Sequence, residues 1–76
     1  MKGGPTMSIH VKLDHLLLER GKTLTELAEE VGISLPNLSI LKTNKARAVR
    51  FSTLSALCRA LDCQPGDILE FRPEKE

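Results

Sequence analysis

Between positions 21 and 34 the chain carries two glycines, Gly21 and Gly32, each followed two residues later by a hydroxyl residue, Thr23 and Ser34. Glycine stops a helix and a hydroxyl starts one, so this punctuation admits only short helices joined by sharp reversals. Thr23 opens the run Thr23-Leu24-Thr25-Glu26. Its hydroxyl can accept from the Glu26 amide while the Glu26 carboxylate reaches back, which is a capping box. Leu24, Leu27, Ala28 and Val31 then fall on one face at helical spacing. Gly32 ends that helix where a side chain would obstruct the turn. Ser34 caps the next helix, with Leu35 at its first position and Pro36 at its second, where a missing amide hydrogen leaves no bond unmade.

The flanking segments extend the same pattern. Positions 8–12 alternate, with Ile9 and Val11 on one side and His10 and Lys12 on the other, which is strand-like but too short to stand alone. Leu13, Leu16 and Leu17 begin a first helix that runs to Arg20 and stops at Gly21. The third helix runs to about Lys42, with Asn44 as a left-handed terminator. Ser52 is the expected cap of a fourth helix whose Leu54, Leu57, Cys58 and Leu61 face inward. Gln64 to Leu69 form a short helical turn, and Glu70-Phe71-Arg72 are extended after it. Those last residues pair with Ile9 to Val11 within one chain, or else Ile9, Val11, Ile68 and Phe71 form an apolar surface for a second copy. The expected organisation is a flexible tail over 1–7, one domain over 8–72 and a second tail over 73–76.

A chain of 76 residues has room for one small domain with a modest core. Its 41% hydrophobic and 28% charged residues are those of a globular protein, and with Phe51 and Phe71 the only aromatics the core must be aliphatic. No apolar run approaches the ~18 residues that span a bilayer, and the first residues lack the apolar middle of a secretory signal. A cytoplasmic location with no membrane partner is therefore expected. Cys58 and Cys63 are too few for a disulfide scaffold and are expected to act as small core hydrophobes.

The net charge of +1 conceals a segregation. Between Glu30 and Asp62 stand Lys42, Lys45, Arg47, Arg50 and Arg59 with no acid among them. A basic segment directly after a tight pair of short helices points to a polyanion. The pair itself, with small Ala28 under the crossing, Gly32 in the turn and Leu27, Val31, Leu38 and Leu41 pinning both helices, satisfies the geometry of a helix-turn-helix.

Leu24-Thr25-Glu26-Leu27-Ala28, then Val31-Gly32-Ile33-Ser34, then Leu38-Ser39 and Leu41 follow, in order and spacing, the pattern of the Cro and phage-repressor family, also called the xenobiotic-response-element family. The chain resembles that family from Leu13 to Leu69, and especially its very small bacterial members. The resemblance implies an all-α, compact five-helix lambda-repressor-like domain with room for short N- and C-terminal β-strands. It also implies a transcriptional regulator of the repressor type, bound to double-stranded DNA as a homodimer, without cofactor or small-molecule substrate. Two half-sites would then lie one helical turn apart, about 34 Å. By that similarity Ser34, Leu35, Asn37, Ser39 and Ile40 face bases. Thr23, Thr25, Lys42, Lys45 and Arg47 approach phosphates, joined by Arg50 at the end of the same basic segment.

Two departures from the family's pattern bear on readout. Leu35 and Pro36 stand where relatives often carry Gln, Arg or Ser, so Leu35 offers a thymine methyl a contact but no hydrogen bond, and Asn37 is left to pair with adenine. Lys42 replaces an acid and adds charge beside the backbone.

The competing functions are a protein-interaction or antitoxin-like module, using apolar Leu35, Pro36 and Ile40, and a metal site built from Cys58, Cys63, His10 and His15. The cysteine spacing does not suit a zinc turn, since Cys58 faces the core of its helix and Cys63 follows its end. Catalysis has no support: the chain shows no phosphate loop and no nucleophile with its base, and adjacent Glu29 and Glu30 are solubilising charge on a helix surface.

Overall fold

The computed structural model describes residues 9–43 and 45–73. In chain order these form β1 (Ile9–Val11), α1 (Leu13–Arg20), α2 (Leu24–Val31), α3 (Leu35–Lys42), α4 (Phe51–Leu61), α5 (Pro65–Ile68) and β2 (Leu69–Phe71). The five helices and two terminal strands are those the sequence calls for. The tail expected over 1–7, the strand's first position Ser8, the Asn44 terminator and most of the tail over 73–76 lie outside the described residues.

Three helices stop by the same device. Gly21, Gly32 and Asp62 take left-handed conformations with φ of 66°, 72° and 52°. The amide of the residue after each then donates back into its helix, Lys22 to Leu17 O at 3.0 Å, Ile33 to Ala28 O at 3.2 Å and Cys63 to Cys58 O at 3.0 Å. These bonds satisfy carbonyls that a helix end leaves open. At α4 the remaining carbonyls are met from a distance: Arg20 Nε donates to Leu61 O at 2.7 Å and Lys22 Nζ to Ala60 O at 2.9 Å. Two cations thus sit at the negative end of the α4 dipole, and they tie the end of α1 and the turn after it to α4.

The core is aliphatic throughout. Leu13, Leu27, Leu38, Leu57, Leu61 and Ile68 are fully buried, Leu16, Leu17, Ala28 and Leu41 nearly so, and no polar side chain is buried with them among the described residues. α2 lies at the centre, packed on both α3 and α4, while α5 bridges α1 and α4. The strands pair within one chain, antiparallel, with Ile9 opposite Phe71, His10 opposite Glu70 and Val11 opposite Leu69. Lys12 N–H donates to Ile68 O at 2.7 Å and joins the ladder to α5. Beyond the ladder Arg72 lies 3.0 Å from Glu70 and holds its carboxyl below the usual carboxylate range.

Two expectations are corrected. Ser52 does not cap α4, which begins at Phe51 with extended Arg50 at the cap position and Leu54 N–H donating to Arg50 O at 2.9 Å. Packing sets that register: with Leu57 and Leu61 fixed in the core, Ser52 falls inside the first turn. Ile68 cannot contribute to a surface for a second copy, because this last residue of α5 is 0% exposed in the core. Ile9 and Phe71 do remain exposed, and Val11 is half-buried.

Candidate nucleic-acid interface

The reversal between α2 and α3 is built from local bonds. Thr23 Oγ1 accepts from Glu26 N–H at 3.1 Å and Thr23 N–H donates to Glu26 Oε1 at 2.8 Å, so the expected capping box opens α2. At Gly32 an added Cβ would meet nothing within 4 Å, so it is the left-handed φ of 72°, not lack of space, that selects glycine. Ser34 Oγ then accepts from Asn37 N–H at 3.3 Å and starts α3. That bond occupies one lone pair of the hydroxyl and leaves its proton free to donate.

Leu38 and Leu41 anchor the inner face of α3, and this fixes what the outer face presents. Ser34, Leu35, Pro36, Asn37 and Ile40 are exposed, with Leu35 at 42% and Ile40 at 47%. Ser39 is half-buried, and its carbonyl accepts from Thr43 Oγ1 at 2.9 Å. Asn37 and Ile40 look onto an open groove of about 490 Å³ whose far wall is Ala46, Ala48, Val49 and Arg50. Of the sequence's base-reading candidates, Ser34, Asn37 and Ile40 line this groove, Leu35 is exposed outside its lining and Ser39 is half-buried.

The cations divide into paired and unpaired sets. Lys42 Nζ lies 3.1 Å from Asp14 Oδ1, and its side chain is only 26% exposed. Lys22 is held by Glu30 at 2.6 Å, Arg72 by Glu70 at 3.0 Å, and Arg20 lies 3.8 Å from Glu19. By contrast Lys45, Arg47 and Arg50 are exposed and form no ion pair with a described acid. Arg50 also stands at the start of α4, an eleven-residue helix with no side-chain cap and no acid in its first turn. Free amides, a positive helix end and Arg50 therefore face the groove beside α3, while Lys45 and Arg47 are exposed on the segment that supplies its far wall. Thr23 and Thr25 are exposed at the start of α2, where the Thr23 hydroxyl already serves the capping box.

Sequence reasoning missed the Lys42 to Asp14 pair, which joins residues 28 positions apart. It also missed the open start of α4, for which the absence of an acid in the stretch after Phe51 was the available signal. Among the described residues no three His, Cys, Asp or Glu side chains gather where a metal ion would be held.

Comparison with known proteins agrees with this geometry. A family model described as the Cro/C1-type HTH DNA-binding domain matches residues 12–74. The uncharacterized HTH-type transcriptional regulator YozG of Bacillus subtilis (strain 168) is 54% identical over 70 residues, covering 92% of this chain and 83% of YozG. The crystal structure of the transcriptional regulator VanUg superposes with a TM-score of 0.70 at 32% identity, covering 97% of this chain and all of the other. The chain belongs to the Cro/C1-type helix-turn-helix family of DNA-binding transcriptional regulators, a non-enzymatic class.

Proposed function

We propose that the protein is a sequence-specific repressor that places α3 in the major groove, with the 42–50 segment on the adjacent phosphates, as one half of a homodimer. The observation that carries this reading is the juxtaposition of α3's exposed face with Lys45, Arg47 and Arg50, cations that no described acid neutralises. Asn37 reads adenine through its amide, Leu35 and Ile40 meet thymine methyls, and Ser34 and Ser39 donate hydroxyl protons at the margins. Thr23 and Thr25 approach phosphate from the start of α2, and Lys42 does so after release from Asp14. Repression follows from occupancy, since a domain seated on a promoter excludes the polymerase. A single module of this size holds DNA weakly, which favours two copies on a two-fold site. No helix among the described residues is long and apolar enough to cross a membrane, in keeping with action on DNA in the cytoplasm.

A second reading, an antitoxin-like module that binds protein through α3, draws on the exposure of Leu35 at 42% and Ile40 at 47% beside Pro36. Titration of labelled duplex DNA at several salt concentrations separates the two. If the DNA reading holds, Arg47→Ala and Arg50→Ala weaken binding to every duplex, and each flattens the log–log salt dependence by about 0.9. Salt dependence unchanged in both variants favours the protein partner.

A further inference from the structure

The end of α4 brings together the chain's two cysteines. Asp62, at φ 52°, folds the backbone so that Cys63 N–H donates to Cys58 O at 3.0 Å. At a helix end of this kind the side chains of those two positions meet, ordinarily as an apolar pair. At the matching end of α2 they are Ala28 and Ile33. At α4 they are the two thiols, Cys58 and Cys63. Both are half-buried free cysteines, and both line one open cleft with Phe51, Leu54, Arg59 and Pro65, so a small reagent reaches them without unfolding the chain.

We propose that Cys58 and Cys63 form a dithiol modification site, which a low-molecular-weight disulfide converts into an intrachain disulfide. Cys58 loses its proton, and its thiolate attacks one sulfur of the reagent. The reagent's S–S bond breaks, and one half leaves as a thiolate that takes up the proton. Cys63 then gives up its proton and its sulfur attacks Cys58 Sγ, expelling the second half as a thiol. Two cysteine thiols are oxidised and one small disulfide is reduced to two thiols. Burial first, and then the Cys58 sulfur beside it, hold the Cys63 thiol above its ordinary value. A thiol held in its protonated form in this way suits the resolving role given to Cys63.

The test equilibrates the full chain with mixtures of reduced and oxidised glutathione, with and without urea, and weighs the acid-quenched products. The quenched product of the folded chain is expected to weigh as a single chain lighter by two hydrogens, free of accumulated adduct. Its disulfide should be favoured about tenfold over that of the urea-unfolded chain, a margin that separates the contribution of the fold from mere closeness in sequence. Cys63→Ser should instead stop at one glutathione on Cys58. Two stable glutathione adducts, an interchain disulfide, or a disulfide no more favoured in the folded chain than in urea would overturn the proposal.

Discussion

In the proposed complex, Asn37 and Arg47 stand for two kinds of contact that a binding experiment can tell apart. Asn37, exposed on α3, offers paired hydrogen bonds to one base. Asn37→Ala should therefore relax preference at one position of the site by about 1–3 kcal/mol and leave binding to scrambled DNA nearly unchanged; comparison of single-base variants of a selected site checks it. Arg47 carries charge without sequence information, so its removal should weaken all duplexes alike. Lys42 is a third case, because its ammonium already faces Asp14 at 3.1 Å. Lys42→Ala should change the salt slope less than Arg47→Ala does, and, for a pair open to solvent, lower stability by less than about 1 kcal/mol in urea denaturation. A slope change equal to that of Arg47→Ala would show that the pair opens freely on DNA.

At the scale of elements, helix ends carry most of what the sequence announces. Thr23, Gly32 and Ser34 could be read directly because each acts on residues no more than four positions away. The start of α4 could not, since the core positions of Leu57 and Leu61 overrode the local preference of Ser52. Nor could the Arg20 and Lys22 bonds to the end of α4, which span 41 and 38 positions and leave no local trace. Three substitutions test this division. Thr23→Ala should cost about 1 kcal/mol by loss of the cap. Gly32→Ala should cost about 1–2 kcal/mol through its left-handed φ alone, since the space around it is open. Asp62→Gly should stabilise by about 0.5 kcal/mol or more, since it frees a left-handed position and removes an acid from the negative end of α4. Urea denaturation of the three variants would settle the signs. At β2 the sign concerns pH. Because Arg72 depresses Glu70, the pair's contribution is present above the ordinary carboxylate range and is lost as pH falls through the folded value. Arg72→Ala should remove that part of the acid dependence.

At the scale of the whole molecule, an all-aliphatic core holds α3 outward. Leu57, central and fully buried, should cost about 2–5 kcal/mol when replaced by Ala, a large part of the stability of a domain this small. The choice of intrachain pairing between β1 and β2 was not legible in the sequence, because three-residue strands pair equally well within or between copies until the helices fix where the termini meet. The same closure buries Ile68 and leaves Ile9 and Phe71 outside. The basic segment was legible as charge, yet only the fold shows which cations are already neutralised and that Arg50 lines the groove beside α3 while Lys45 and Arg47 stay exposed without a described acid. Selection of random duplex DNA by the purified protein is the most direct measurement of the central claim. It should enrich a two-fold symmetric site, with half-sites about one helical turn apart, that outcompetes a scrambled duplex at physiological salt. No enrichment, or binding that salt abolishes equally for both duplexes, would contradict it.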